Sequence, residues 1–461
     1  MYSNLIDLLL SIPVQSLRVH YQRSNQSRSS RSSAQDMMRH FQSPGILGSL
    51  LLCLSGCSNV LFGNSSPPSR PGFVRVWAHS GQAAERQVLE RQVQRFNAAQ
   101  KATTVELTFI PEGSYNSQVQ AAALSKDLPD LLEFDGPFVY NYVWQQNLVP
   151  MDKLISASVK QDLLPSILQQ GTYRGRLYSV ATFDSGLGLY GRRSQLQAAG
   201  IRIPTGNQDA WTVAEFDRAL AALAARDPDR QVLDLKLNLR GEWATYGFLP
   251  IIQSAGGKVN GSLNSPSAVT AMQSVQNWFK QGYVDPNIDD GAFTSGRVPL
   301  SWVGHWVYKD YAKAVGKDLV VLPLPNFGQG SKTAQGSWNW GITTNCSTPT
   351  CQKSAMSFLE FLLQPQEVLA MANVNGAVPA TKQAISQSQL YAPTGPLHLF
   401  AAQLLAGETV PRPQTPAYPV ITSAFQEAFA NIRNGLPVKT ALDKAATAIE
   451  IDRQDNQNYR E

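Results

Sequence analysis

Apolar and polar positions alternate with two different periods along the first 70 residues after Pro71, and they change period in a regular order. Phe73–Trp77 reads as a strand, and Ala84, Val88, Val93 and Phe96 then recur at helical spacing with Glu and Arg between them. Val105–Ile110 alternates as a second strand. A helix around Tyr115–Leu124 and an apolar strand at Leu131–Phe134 complete a β-α-β-α-β rhythm, which predicts a parallel sheet with crossover helices. Ligands of such sheets bind at the carboxyl ends of the strands. Trp77-Ala78-His79-Ser80-Gly81 and Phe134-Asp135-Gly136-Pro137 occupy that edge. The rhythm breaks near Phe183-Asp184-Ser185-Gly186. Helices are expected at Ala214–Ala225 and Ala268–Lys280, strands at Val298–Trp302 and Leu319–Leu324, and a helix opened by Pro349 that carries Met356–Leu363. The last third reads as mostly helical, with no solenoid repeat and no heptads.

A chain of 461 residues exceeds what one core usually serves, so two lobes are expected. The composition, 43% hydrophobic and 16% charged, is that of a globular chain. The net charge of +5 is concentrated upstream: residues 1–56 carry five arginines against two aspartates, which leaves +2 for the rest. No basic cluster tracks a phosphate backbone, so nucleic-acid binding is excluded as a reading.

The sequence from Met38, MRHFQSPGILGSLLLCLSGC, has a basic start, an apolar stretch from Ile46 to Leu54 too short to span a bilayer, and small residues before Cys57. Leu54-Ser55-Gly56-Cys57 resembles the bacterial lipobox, which implies lipidation at Cys57. Residues 37–56 are then a signal peptide and the Ser/Pro/Gly-rich 57–71 a flexible tether. Residues 1–36 precede a complete signal peptide, and translation is expected to begin at Met37 or Met38. With Cys53 in the leader, Cys346 and Cys351 remain as an even pair in an oxidising compartment, for which a disulfide is the expectation. No His or further Cys lies near them in sequence, so no metal is expected.

The order of motifs along the body resembles the extracellular solute-binding proteins of ABC importers, the maltose-binding-like, sugar-binding group. The resemblance rests on the Val74–Trp77 strand, Leu128-Pro129-Asp130-Leu131-Leu132, Gly188-Leu189-Tyr190-Gly191, Ala210-Trp211-Thr212-Val213-Ala214-Glu215-Phe216, Gly296–Trp306, Pro323-Leu324-Pro325, Gly336-Ser337-Trp338-Asn339-Trp340-Gly341-Ile342 and Gly376-Ala377-Val378-Pro379. It covers about residues 72–450 and departs at Gly191, where the family commonly has Asn. It implies an α/β, two-lobed periplasmic-binding-protein fold of type II, with lobe one at 72–182 plus 322–372 and lobe two at 183–321 plus 373–461. A ligand cleft would lie between them, closing as solute binds.

A sugar offers apolar C–H faces and a rim of hydroxyls, so its site needs aromatic rings and planar carboxylate, amide or guanidinium groups. Trp338 and Trp340, at alternate positions of one strand, point the same way and form a candidate platform. Trp306 matches the family's stacking aromatic better than Trp302, which is expected to pack inside. Asp184 falls where the family carries an acidic ligand residue. Asp135 is a second candidate acid, with capping of the next helix as its structural alternative. Trp77, His79, Ser80, Tyr115, Trp243, Tyr246 and Tyr418 fill the remaining cleft positions. The two histidines His79 and His305 are expected to hydrogen-bond rather than catalyse. The resemblance implies a carbohydrate-like solute, membrane permease subunits as partners, no cofactor and a monomer in the cell envelope. Arg412 or Arg75 would have to serve if the solute were glycerol phosphate. A glycan-binding surface or sensor protein and, less favoured, a glycosidase are the other readings. The sequence holds no P-loop, H-E-x-x-H or G-x-S-x-G.

Overall fold

The computed structural model of the chain describes residues 72–184, 186–260, 263–336 and 338–460. The leader, Cys57, the tether and Ser337 lie outside the described residues.

The first lobe is built on a four-stranded sheet. Phe73–His79 pairs in parallel with Thr104–Ile110 on one side and with Leu131–Asp135 on the other. Trp338–Ile342 then adds an antiparallel edge beside Leu131–Asp135, with Trp338 opposite Asp135 and Trp340 opposite Glu133. The crossover helices are Ala83–Ala99 and Glu112–Leu124. The first of them buries Val88, Leu89, Val93 and Phe96, the helical stripe read from the sequence. All five residues of Leu131–Asp135 are buried, as expected for an inner strand covered on both faces.

The second lobe carries a smaller sheet in the order Leu319–Leu322, Leu187–Arg192, Leu300–Gly304, Leu233–Asp234. Around it pack Val213–Ala224, Trp243–Ser254, Pro266–Lys280, Tyr418–Arg433 and Val438–Asp455. Thr212 opens the first of these as a reciprocal cap: its Oγ1 accepts from Glu215 N at 3.2 Å, and Glu215 Oε2 accepts from Thr212 N at 2.8 Å. The hydrogen bond from Arg202 to Glu215, together with that cap, holds the Glu215 carboxyl at about 2. Gly191 leaves room beneath Leu196 and Val320, whose side chains would lie 3.1 and 3.2 Å from an added Cβ.

Very short strands join the lobes. Phe183–Asp184 pairs antiparallel with Val378–Pro379, and Thr333–Gln335 pairs in parallel with Thr409–Pro411. These pairings correct two boundaries. Residues 323–336, expected in lobe one, sit on second-lobe elements: Asn326 N donates to Trp211 O at 2.7 Å, and Thr333 Oγ1 accepts from Leu187 N at 2.7 Å. Residues 380–387, expected in lobe two, sit on first-lobe elements: Leu164 N donates to Ala380 O at 2.9 Å, and Gln383 N to Asp162 Oδ1 at 3.1 Å. Both segments are polar connections whose side is decided by tertiary hydrogen bonds that a linear pattern does not carry.

Cys346 and Cys351 are joined as a disulfide. Thr348 Oγ1 accepts from Cys351 N, and Pro349 takes the first helical position of Pro349–Leu362. Asp130 lies near both sulfurs, but bonded sulfurs are spent as metal ligands. Among the described residues no helix is long and apolar enough to cross a membrane.

Candidate functional site

The carboxyl edge of the first sheet carries one half of the candidate site. His79 ends the first strand and lies flat on Trp338, with ring centroids 4.0 Å apart and planes 1° from parallel. Its Nδ1 is 2.7 Å from Glu133 Oε2, which also accepts from His79 N at 3.0 Å. Burial would lower the imidazole, but Glu133, with smaller contributions from Glu85 and Glu112, more than offsets it and raises His79 to about 9. At neutral pH His79 is therefore a cation, with its side chain 11% exposed. His305 shows the opposite outcome. Its Nδ1 is 2.8 Å from Asn375 O, no carboxylate faces it, and burial lowers it to about 4.

The sign of the resulting pH dependence follows directly. A histidine raised in the folded state contributes stability that is complete below its unfolded value near 6.5 and is lost as the pH rises through about 9. The expected loss across that window is roughly 3 kcal/mol. Urea unfolding at pH 6, 7.5 and 9.5 checks it. The His79→Gln variant should lose this slope, and an unchanged slope would remove His79 as its source.

The second lobe supplies the other half. Gly304 ends its strand, and the Trp306 ring folds back over it so closely that a Cβ there would stand 2.0 Å from Trp306 Cζ3. Only glycine permits that close approach. Trp306, half-buried, meets Trp243 edge-on at 5.9 Å and Tyr246 at 6.3 Å. Its carbonyl accepts from Gln82 Nε2 of the first lobe at 2.9 Å.

Between the halves stands Arg412, held by Pro411 and Pro413 on either side in the chain. Its guanidinium makes a paired hydrogen bond to Asp135 of the first lobe and reaches Glu242 Oε2 of the second at 3.3 Å. It lies over the Tyr246 ring at 5.0 Å and the Tyr418 ring at 6.0 Å. Tyr418 donates its hydroxyl to Glu242, and Thr422 Oγ1 does so at 2.9 Å. Burial first, and the Asp135 charge second, push Glu242 up to about 7, against Arg412 and these two hydroxyls. Two carboxylates thus share one guanidinium in a largely buried seam. A groove of about 540 Å³ opens beside this cluster between the two lobes, lined by Glu112, Asn116, Gln120, Glu242, Ser423 and Glu427 among others.

Several expected site residues are placed differently. Asp184 is fully buried, and its carboxylate accepts from Gln170 Nε2 at 3.0 Å and Gly336 N at 3.1 Å, so it ties the crossing strands instead of facing a ligand. Tyr115 is fully buried and spends its hydroxyl on the Glu133 carbonyl. Trp340 is 2% exposed and belongs to the core, which separates it from its half-buried neighbour Trp338. Trp302, 1% exposed, packs inside with Nε1 donating to Gly247 O at 3.1 Å. Trp243 is buried and donates to Leu235 O at 3.0 Å. Ser80 is half-buried with its backbone engaged by Ile110 and Arg86. Trp77 is partly buried against the smaller hydrophobic cluster of the first lobe. Asp135 makes no side-chain cap to the turn that follows, so its helix-capping alternative does not hold. Arg75 turns away to Asp127 and the Leu128 carbonyl.

Residues 91–393 match the family of bacterial extracellular solute-binding proteins. The chain belongs to that family. Among curated proteins this solute-binding protein is 22% identical over 426 residues, 87% of its own length and 91% of the other's, to an uncharacterized lipoprotein in the oleD 5' region of Streptomyces antibioticus. Its fold is that of a cyclic α-maltosyl-1,6-maltose binding protein from Arthrobacter globiformis, with a TM-score of 0.68, 21% identity and coverage of 84% of this chain and 100% of that one. The GacH receptor of Streptomyces glaucescens, solved unliganded and with acarbose, matches with a TM-score of 0.69 and 20% identity over 85% of this chain and 100% of that chain. A maltose-bound MalE3 from T. maritima matches with a TM-score of 0.68 and 20% identity over 82% and 99%.

Sequence reasoning passed over Glu133 and Glu242 and left Arg412 unplaced. No local signal marked them, because what buries these charges is tertiary pairing between distant stretches of chain.

Proposed function

We propose that this solute-binding protein captures a carbohydrate between its two lobes and delivers it to the membrane subunits of an ABC importer, anchored through lipid on Cys57. The observation that carries the reading is the composition of the seam. Half-buried tryptophan faces, Trp306 from one lobe and Trp338 from the other, accompany planar charged groups, Asp135, Glu242 and Arg412. Rings suit the C–H faces of a sugar, and planar groups suit its vicinal hydroxyls. The ligands of similar folds, maltose and acarbose, have the same chemistry.

The glycerol phosphate reading asks for an uncommitted cation, and Arg412 is already bound by two carboxylates. A glycosidase needs an acid and a base free to act on a glycosidic bond. Here Asp135 is committed to Arg412, and Glu242 to Arg412, Tyr418 and Thr422.

Thermal unfolding in the presence of maltose, maltotriose, acarbose, tagatose and chitin oligosaccharides tests the proposal. A ligand at 100 times its Kd stabilises the native state by about 2.7 kcal/mol, which raises the melting temperature measurably. At least one should do so without release of reducing sugar. Trp306→Ala should then weaken binding by about 1–3 kcal/mol while the protein remains folded. No shift with any of these sugars, or turnover of one, would overturn the reading.

A further inference from the structure

On the connecting side of the seam, Gln170, Gln335, Gly336 and Arg412 are among the residues that line a small cavity of about 10 Å³. Three of these residues each carry one buried polar atom with no hydrogen-bond partner among the described residues: Arg412 Nε, Gln335 Nε2 and Gln170 Oε1. The residues are 5%, 5% and 6% exposed. Their other polar atoms are committed, which fixes the role of each remaining one. Gln170 Nε2 donates to Asp184, so its Oε1 is an acceptor. Gln335 Oε1 accepts from Thr409 Oγ1, so its Nε2 is a donor. Arg412 Nη1 and Nη2 each donate to a carboxylate, whereas its Nε, always a donor, has no partner among the described residues. Gly336 packs against the Gln170 and Arg412 side chains, since a Cβ added there would lie 3.3 Å from Gln170 Oε1 and 3.4 Å from Arg412 Nη2.

Buried polar atoms are nearly always satisfied, and three unsatisfied ones around a single cavity are not expected to occur by accident. A void of this size holds one water-sized oxygen. Two donors and one acceptor are the complement of a hydroxyl-type oxygen, which accepts two hydrogen bonds and donates one.

We infer that Arg412, Gln335 and Gln170 form a single-oxygen subsite at the junction of the lobes, one that takes a hydroxyl-type oxygen from either bound water or a hydroxyl of the captured solute. The residues come from three separate stretches of chain: Gln170 from the first lobe, and Gln335 and Arg412 from the two segments paired beside it. An oxygen there links all three. If the oxygen belongs to the solute, this subsite selects a hydroxyl in one orientation, and that arm rests on the carbohydrate reading above.

High-resolution crystal structures of the full chain, purified in detergent, ligand-free and with maltose, test the inference. An isolated density peak within about 3.2 Å of all three atoms in both crystals identifies the source as water. A maltose oxygen at that position in the second crystal identifies the source as solute. Either supports the subsite, and density empty at that position in both crystals would overturn it. Gln335→Met keeps the side-chain length and removes the donor. In that variant the peak should disappear, and where the source is solute, maltose affinity should fall about tenfold. Calorimetric titration of the native chain with maltose separates the two claims. A water-filled subsite without maltose binding removes maltose as a ligand and leaves the subsite standing, while maltose binding with an empty subsite removes the subsite alone.

Discussion

Arg412→Met is expected to cost about 3–5 kcal/mol of folding stability, the scale of removing one partner from a buried ion pair. The change would leave Asp135, 7% exposed, and Glu242, whose side chain is 10% exposed, without their shared cation. The loss should also depend on pH in a defined sense. Glu242 already stands at about 7 with Arg412 beside it, and losing the guanidinium can only push it higher. Protonation then relieves the repulsion, so the variant should be less impaired at pH 5 than at pH 8. Adding Asp135→Asn to Arg412→Met should recover part of the loss, because the two sites share one interaction and their effects do not add. Denaturant unfolding of the native protein and the two variants at the two pH values measures all of this. A loss below about 1 kcal/mol at pH 8 would show that the cluster is better hydrated than its burial implies.

Trp340→Ala should cost about 3–5 kcal/mol of stability. The side chain is 2% exposed and lies opposite Glu133 in the first sheet. Its neighbour two positions earlier behaves differently. Trp338 is half-buried and covered on one face by His79, so truncating it should affect ligand affinity more than unfolding. The two variants therefore separate a residue of the core from a residue of the seam. If Trp340→Ala unfolds at the same denaturant concentration as the native protein, the core assignment is wrong.

The contrast between these tryptophans shows where the sequence was legible. The alternation of residues 73–79 and 104–110 and the helical stripe of 83–99 have strong periods, and the structure follows them within a few residues. Leu187–Arg192 lies in the centre of the second sheet and is buried on both faces, so it has no alternation to read. The connecting strands are two or three residues long, too short for any period. At the site, residue type did not separate seam aromatics from core ones: Trp306 and Trp338 are half-buried, whereas Tyr115, Trp243 and Trp340 are buried. Residue type also misled for charges. A glutamate or arginine defaults to solvent in a linear reading, and the contact that buries Asp135 against Arg412 joins positions 277 residues apart. Asp184 fell at the predicted crossing, yet it braces that crossing and does not face the seam.

The outer strand Trp338–Ile342 has a consequence for how the protein is made. It closes the first sheet, but the ribosome delivers it about 200 residues after Leu131–Asp135. At roughly 5–20 residues per second, that interval lasts on the order of 10–40 s. During that time the first lobe has an apolar strand edge without its partner, and edges of this kind invite mispairing. Neither lobe is complete until late in synthesis, because the first waits for Trp338–Ile342 and the second for Val438–Asp455. A nascent chain that must be threaded through a membrane gains from this order of events, because nothing stable forms until most of it has been synthesised. The same delay makes the waiting edge a natural place for a holding chaperone to act.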